Sequence, residues 1–155
     1  METRRDYIMR MIEQVAICLQ RILGLKSAGA YEEALQEVDR ATDSLLGKDR
    51  ELLLKVDAKT AVRLFADPRL IWTYARILSE KGEVLRLLGN VGEAQAAEVR
   101  ALTLALEAHA LNNVATEEHL WFLRHLDECG ASVGLAPSRL ELLKTLLQRG
   151  RDAAP

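Results

Sequence analysis

The chain has 155 residues, the length of one domain, and its hydrophobic share of 49% is enough to form a core without a metal or a disulfide. Its formal net charge is -2, and charges of both signs are interspersed along the sequence. General nucleic-acid binders and proteins that bind anionic membranes carry a clustered basic excess instead. We therefore expect no nucleic acid and no membrane among the partners of this protein.

The N-terminal segment METRRDYIMRMIEQVAICL carries early arginines, as signal peptides do, but Arg10, Glu13 and Gln14 interrupt the apolar run that such a signal requires. No segment approaches the roughly 20 apolar residues of a membrane-spanning helix. Cys18 and Cys129 lie far apart, each in a periodic apolar segment. This placement favours two reduced core cysteines over a disulfide, which stays the open alternative. Together these features predict a cytoplasmic protein.

The first part of the chain predicts three helices. Apolar residues recur with the helical period of about 3.6 residues over 6–28, and again over 31–46, where a glycine ends the pattern. The stretch that follows is the least regular. Within it, Asp57 can cap one short helix that ends near Phe65.

Two longer helices are predicted next. Asp67 and Pro68 have the residue types of an N-cap and a first helical residue, and the helix that they open ends at Gly89. The following helix, over about 93–112, places alanines on one face and larger apolar residues on others. A small-residue face allows a neighbouring helix to approach closely, so we expect this helix to lie in the interior.

The last predicted helices begin at cap signals. Thr116 can cap one of them, and Ser138 and Glu141 have the spacing of a capping box that opens the final helix. Turns rich in glycine or proline separate the seven segments, with almost no strand pattern between them. We predict an all-α fold of about seven helices, with a single domain over 1–150 and a disordered tail over 151–155.

A short phrase occurs twice in the chain. AGAYEEALQEVDRA, at 28–41, returns as LGNVGEAQAAEVRA, at 88–101. Each copy connects two amphipathic segments through a turn that contains glycine, which predicts a hairpin of two antiparallel helices. Such a hairpin buries only one face, and stacking on other hairpins buries the rest. The identical pairs are Gly29/Gly89, Glu33/Glu93, Ala34/Ala94, Arg40/Arg100 and Ala41/Ala101.

These hairpins resemble the tetratricopeptide repeat, which has a glycine or other small residue in its first helix, a glycine at its turn, an aromatic residue two positions later and alanines in its second helix. The matching residues are Gly82, Leu85, Gly89, Ala94 and Ala101 in one copy, and Gly29, Tyr31, Ala34, Val38 and Ala41 in the other. Ile22 and Glu98 depart from the pattern, and the copies lie sixty residues apart where the family repeats every ~34 residues. The resemblance implies tetratricopeptide-like antiparallel helix hairpins that form a short irregular superhelix.

The opening RRDYIMRMIEQ, followed by GAYEEAL, also resembles the start of a family of uncharacterised bacterial proteins with this helical layout. That family has no assigned activity. The resemblance therefore implies a bacterial source and adds no chemistry.

Few residues carry a signal for chemistry. The segment GLKSAGA has the glycine spacing of a phosphate-binding loop, but Ala30 and Tyr31 replace the lysine and the hydroxyl residue, so a turn is the better interpretation. His119, His125 and Cys129 lie close in sequence, yet the HExxH, CxxC and Glu-x-x-His motifs are all missing. We expect no metal, no cofactor and no catalytic residue, with Cys129 in the core and the two histidines partly exposed.

The aromatic side chains concentrate at Trp72, Tyr74, Trp121 and Phe122. Residues of this kind at helical spacing usually belong to a core, and a ligand pocket or an interface is the alternative. Trp121 lies to one side of the apolar stripe of its helix. Its burial would therefore need a partner.

Two classes of function are compatible with these features. The favoured hypothesis is a non-catalytic interaction module, not an enzyme, that holds a protein or peptide partner. The alternative is a small-ligand-binding or enzymatic helical domain that uses an interhelical cavity near His119 and His125. An open groove with exposed polar residues would favour the module, whereas a closed pocket with titratable groups of perturbed pKa would favour the alternative.

The resemblance to the tetratricopeptide repeat also implies which side chains line an inner surface. They are Arg76, Ser79, Glu83 and Arg86 at one end, and Ala16, Leu19, Leu23 and Lys26 at the other. Such a surface is charged at one end and mainly apolar at the other, which suits a segment that offers an apolar side chain and a carboxylate. The alternative is a solvated face with ordinary Arg–Glu pairs.

The first helix carries more apolar surface than one neighbouring helix needs to cover. The residues concerned are Ile8, Met9, Met11, Ile12 and Leu19. We therefore predict a homodimer. In the alternative, the short helices between Leu52 and Phe65 cover this surface within one chain.

Overall fold

The computed structural model describes residues 3–65, 67–112 and 115–152, and all regular structure within these ranges is helical. The eight α-helices there are α1 (Arg4–Ser27), α2 (Tyr31–Leu46), α3 (Arg50–Lys55), α4 (Ala58–Leu64), α5 (Pro68–Leu87), α6 (Val91–Asn112), α7 (Glu117–Glu128) and α8 (Pro137–Asp152). Two short 3-10 turns, Gly47–Asp49 and Ala131–Gly134, lie between them. The prediction of an all-α fold is confirmed.

The seven predicted helices are all present, and the short helix α3 is an addition. It lies in the stretch whose apolar pattern is least regular, so the spacing of apolar residues did not indicate a helix there. Helix α8 continues through Arg151 and Asp152, which the sequence assigned to the tail. The rest of the predicted tail, 153–155, lies outside the described residues.

Side-chain caps set where several helices begin. The side chains of Asp57 and Asp67 accept hydrogen bonds from the backbone N–H groups of Thr60 and Arg69, which confirms both predicted N-caps. The predicted capping box at Ser138 is wrong, because α8 begins at Pro137 and Ser138 is already inside the helix. Proline favours the first helical position, where its missing N–H costs no hydrogen bond.

The two copies of the repeated phrase form the same turn. Gly29 and Gly89 both have positive φ, 73° and 87°, which glycine adopts without the penalty of a Cβ. The residue after each glycine donates its N–H five residues back, from Ala30 to the Leu25 carbonyl at 2.9 Å and from Asn90 to the Leu85 carbonyl at 2.8 Å. This six-to-one bond defines a Schellman motif, which ends one helix and allows the next to run back along it.

Helix α5 is central to the packing. It contacts α1, α2, α6 and α7, and a buried apolar cluster on one side joins it to α1 and α2. A larger cluster joins α5 and α6 to the later helices α7 and α8. Within α6, Ala94, Ala101 and Ala105 are fully buried, which confirms the prediction that this helix lies in the interior.

The cysteines differ from their predicted placement. Both are free; Cys18 is half-buried against the cluster between α1 and α2, whereas Cys129 is exposed. Cys129 is the C-cap of α7, and the chain turns away at Gly130 directly after it. The prediction of a core position for Cys129 is therefore wrong, because the periodic apolar segment ends one turn earlier.

Candidate functional site

A groove of about 330 Å³ lies where α5 is flanked by α1 and α7, and we call it the α5–α7 groove. Its lining comes from all three helices. The lining residues are Ile12 of α1; Arg69, Trp72, Thr73 and Arg76 of α5; and Glu118, His119, Trp121 and Phe122 of α7.

Helix periodicity explains why these side chains meet. On α5, Arg69, Trp72, Thr73 and Arg76 are spaced by three and four residues, so they project from one side of the helix. On α7, the Thr116 cap fixes the start of the helix: its side chain accepts from the His119 N–H at 3.2 Å. The Thr116 N–H in turn donates to Nδ1 of His119 at 3.4 Å, so the cap also orients this ring.

Two aromatic contacts hold the wall of the groove. The rings of Trp72 and His119 stack in parallel, with centroids 3.7 Å apart and planes 3° apart. Phe122 meets Trp72 edge-on, with centroids 6.3 Å apart. Trp72 and Phe122 are both buried. The wall is therefore a packed part of the core, which presents a preformed aromatic surface to the groove.

Trp121 lines the groove and is 62% exposed, although Phe122 and Leu123 beside it on α7 are buried. One face of its indole stacks on His125, with centroids 5.7 Å apart. The prediction that Trp121 lies to one side of the apolar stripe of α7 is confirmed. A large aromatic side chain left in solvent beside a cavity is typical of an interface residue.

The charges of the groove belong mainly to two arginines. Arg69 is held by Asp67, which accepts from its Nε and Nη2, each at 3.0 Å. Arg76 forms a single 3.1 Å ion pair with Glu118, and these side chains are 50% and 74% exposed. An exposed pair of this kind contributes about 0–1 kcal/mol. The carboxylate of a binding partner can therefore replace Glu118 on Arg76 at little cost.

The four residues of α5 that were predicted to line one inner surface form a row along the helix, but the structure places them in different surroundings. Arg76 lines the groove, but Ser79 is only 7% exposed and cannot contact a partner in this conformation, which corrects its assignment to an exposed surface. Arg86 reaches α6 instead, where its Nη2 lies 2.6 Å from a carboxylate oxygen of the buried Glu98. Glu83 is exposed and pairs with Lys26 at 2.9 Å.

The residues of α1 that were predicted to line the apolar end of the inner surface also differ in their surroundings. Lys26 lies between Glu80 and Glu83, with Nζ–O distances of 2.6 and 2.9 Å. Burial alone would lower the pKa of Lys26, but the hydrogen bonds that Lys26 donates to these carboxylates outweigh it, and the pKa is raised. Leu23 is exposed, whereas Leu19 is partly buried against the core between α1 and α2. Ala16 is exposed.

Sequence reasoning missed the partners that come from other helices. Trp72 was assigned to the core without its stacking partner His119, and neither Arg69 nor Glu118 was singled out. The signal that could have found them is the pair of caps at Asp67 and Thr116, because each cap fixes which residues of its helix share a face. Which faces of two distant helices then meet is set by packing, and no local pattern contains it.

The histidine pair that the alternative hypothesis invoked is not brought into one cavity. His119 lines the α5–α7 groove, while His125 lies under Trp121 and its Nε2 is 3.9 Å from Sγ of Cys129. Both rings are partly exposed, as predicted. Within residues 3–65, 67–112 and 115–152, no group of three or more His, Cys, Asp or Glu side chains is placed to hold a metal ion.

Comparison of the chain with protein-family models, curated proteins and solved structures finds no match in any of the three. In the part of the chain that the structure describes, no helix has both the length and the apolar character needed to cross a membrane.

Proposed function

We propose that this protein is a non-catalytic module that binds a protein or peptide segment in the α5–α7 groove. The observation that carries the proposal is the exposed Trp121 beside a cavity whose wall contains the buried Trp72 stacked on His119. Tryptophan and arginine dominate the energetics of many protein interfaces, and preformed walls reduce the entropy lost on binding. The groove provides both residue types.

The lining indicates the chemistry of the segment. An apolar or aromatic side chain fits between Trp72 and Trp121, and a carboxylate beside it can pair with Arg76 in exchange for Glu118. This agrees with the ligand type expected from the sequence, although Arg76 is the one residue of the predicted α5 row that lines the groove. Arg76, Glu118 and Trp121 are exposed lining residues, so an extended segment of chain can contact them from solvent.

The resemblance to tetratricopeptide repeats remains part of the proposal. In it, α1 with α2, α5 with α6, and α7 with α8 are successive hairpins, and the first helices of these hairpins together line the groove. Helices α3 and α4 would account for the long spacing between the first two hairpins. A cytoplasmic location and a bacterial source belong to the same proposal.

The predicted homodimer has less support than the sequence implied. Ile8 and Met11 are buried within the chain against Leu70 of α5, and Phe65 is the one residue of the stretch between Leu52 and Phe65 that packs beside them. Met9 is exposed. Self-association therefore stays a prediction, and light scattering at high micromolar concentration tests it.

Selection from a random peptide library, with counter-selection against the Trp121→Ala variant, tests the proposed function. Enriched peptides should combine an apolar or aromatic residue with a neighbouring Asp or Glu. Trp121→Ala should weaken their binding about 30-fold, since an interface tryptophan contributes about 2 kcal/mol or more. Val133→Ala is the matched control, because Val133 is also exposed and apolar but lies outside the groove.

Arg76→Ala is the second variant, and it is changed alone. Arg86 holds the buried Glu98, so a change there would lower the stability of the fold as well. If the enriched peptides bind the wild type, Trp121→Ala and Arg76→Ala with equal affinity, the α5–α7 groove is not the binding site.

A further inference from the structure

A second groove runs along the other side of α5, between α2, α3 and α6. It consists of two adjoining cavities of about 640 and about 310 Å³. We call it the Tyr74 groove, and the residues that line both of its cavities are Leu54, Tyr74, Leu78, Lys81, Leu85 and Glu93.

The two grooves are separate sites. Successive residues of an α-helix are rotated by about 100°, so Tyr74, two residues from Arg76, projects from the opposite side of α5. Tyr74, Leu78, Lys81 and Leu85 are spaced by four, three and four residues and form one stripe along the helix. A ligand on this stripe would not touch Trp121 or Arg76.

The hydroxyl of Tyr74 is the unusual feature of this groove. Tyr74 is 1% exposed, and within the described residues its hydroxyl oxygen is buried and has no hydrogen-bond partner. Buried polar atoms are nearly always paired, and an unpaired one costs about 1–3 kcal/mol. A phenylalanine would fill the same space in the core without this cost. Tyr74 lines both cavities, so a ligand in the groove would lie against this side chain, and the covered hydroxyl would become its donor after a small movement of the neighbouring side chains.

The positive charges near the groove are not all neutralised. Arg50 is paired with Asp39 and Asp43. Lys81 lines both cavities and forms no ion pair with any described residue. Arg100 lines the smaller cavity, where Nη2 donates to two backbone carbonyls at 2.9 and 2.8 Å. These neutral acceptors satisfy the N–H groups of Nη2 and do not neutralise the charge of Arg100.

Carboxylates line the groove as well: Glu93 lines both cavities, and Glu32 and the Arg50-paired Asp39 line the larger one. Glu32 and Glu93 are exposed and belong to the first turns of α2 and α6, where the helix dipoles already stabilise carboxylates. The apolar part of the lining that both cavities share consists of Leu54, Leu78 and Leu85. Leu54 is left half exposed on α3 in the unliganded protein.

We propose that the Tyr74 groove binds a small organic carboxylate with an apolar body. The body lies on Leu54, Leu78 and Leu85. The carboxylate accepts a hydrogen bond from the Tyr74 hydroxyl and is attracted by the charges of Lys81 and Arg100. Burial raises the pKa of Tyr74, opposed by the positive charges of Arg100 and Arg50, so the hydroxyl keeps its proton at neutral pH and remains a donor.

The test uses hexanoate, octanoate and 3-phenylpropanoate as probes, with octanamide as the uncharged counterpart, and follows backbone amide signals of the full chain by NMR titration. At least one carboxylate should shift the signals of residues that line the Tyr74 groove, and octanamide should bind at least about tenfold more weakly. Signals around Trp121 should stay in place. Binding of none of the three carboxylates, or equal binding of octanamide, would overturn the proposal.

Two variants locate the interaction. Tyr74→Phe removes only the unpaired hydroxyl, so the unliganded variant should melt at the wild-type temperature or above, while carboxylate binding weakens about tenfold. Lys81→Gln should weaken binding as well, and Lys144→Gln on α8, which removes the same charge outside the groove, should not. Destabilisation of the unliganded protein by Tyr74→Phe, or unchanged affinity in both groove variants, rejects the assignment.

Discussion

The hairpins α1–α2 and α5–α6 share a turn but differ in how closely their helices approach. Sixty residues apart, Ile22 and Gly82 occupy the same place in the two copies, and so do Val38 and Glu98. In the first hairpin, both side chains are apolar and buried. In the second, the glycine leaves space that the stem of Glu98 fills.

The contact at Gly82 shows how tight the second hairpin is. A Cβ at this position would lie 2.6 Å from Cγ of Glu98 and 3.1 Å from the backbone oxygen of Ala94. Glu98 is 3% exposed, and Arg86 neutralises its carboxylate. Arg86 matches Lys26 of the first hairpin, which instead pairs with Glu80 and Glu83 of α5. The same turn therefore supports an apolar helix contact in one copy and a charged one in the other.

Gly82→Ile, which copies the first hairpin, should produce the largest loss. The added side chain has to displace both Glu98 and the backbone of α6, so we expect the free energy of unfolding to fall by about 3 kcal/mol. The double variant Gly82→Ile with Glu98→Val copies the whole apolar pair and should lose less than Gly82→Ile alone. Chemical denaturation measures the stability of Gly82→Ile, Glu98→Val and the double variant. If the loss in the double variant equals the sum of the losses in the two single variants, the positions are not coupled.

The second-largest effects should come from removing the positive charge at the matching positions Arg86 and Lys26, and the losses of unfolding free energy should differ between the two hairpins. Arg86→Ala leaves the buried Glu98 carboxylate unpaired, and since about a third of the Arg86 side chain is exposed, we expect a loss of about 2 kcal/mol, below that for a fully buried pair. Lys26→Ala leaves carboxylates that water can reach, so its loss should be about 1 kcal/mol or less. Equal losses in the two unfolding curves would contradict the difference drawn between these pairs.

The shared turn predicts equal effects. Gly29→Ala and Gly89→Ala each place a Cβ where no atom lies within 4 Å, so the cost comes only from positive φ and should be about 1 kcal/mol in both. Gly24→Ala in α1 is the control. It also meets no atom within 4 Å but keeps helical φ, and should leave stability unchanged or raise it. If the losses of unfolding free energy in Gly29→Ala and Gly89→Ala differ by more than about 1 kcal/mol, the two turns are not equivalent.

The smallest effect concerns pH. His109 lies in α6, the second helix of the second hairpin, and burial, aided by the charge of Arg149, lowers its pKa below 6.5. The unfolded chain then binds a proton that the folded chain does not, so stability is lost as the pH falls below 6.5 towards the folded pKa. In His109→Gln, the decrease in melting temperature between pH 7.5 and 5.5 should be smaller than in the wild type. An unchanged decrease assigns the pH dependence to other groups.

Local signals in the sequence predicted the helices and their turns. Glycine at positive φ and aspartate at an N-cap act through their own backbone neighbours, so Gly89 and Asp67 could be interpreted without a fold. The error at Ser138 arose where Pro137 provided a competing start signal, and α3 was missed because its stretch has no regular apolar period.

The candidate site depended on contacts that no local signal contains. Ser79 shares a predicted row with Arg76, yet the neighbouring helices bury it, because the row spans three turns of α5 and different helices flank each turn. Lys26 was expected to face a ligand, but it forms ion pairs with Glu80 and Glu83, which lie far away in sequence. Spacing along one helix determines which side chains share a face, while packing between helices determines which of them remain free.

NMR mapping of an enriched peptide tests the central claim most directly, because the chain has two tryptophans, and therefore two indole N–H signals, one from buried Trp72 and one from exposed Trp121. We predict that the Trp121 indole signal shifts on binding, together with amide signals around Arg76 and Glu118, while signals of the Tyr74 groove do not. A peptide that binds tightly and leaves the Trp121 signal in place would contradict the assignment of the α5–α7 groove as the binding site.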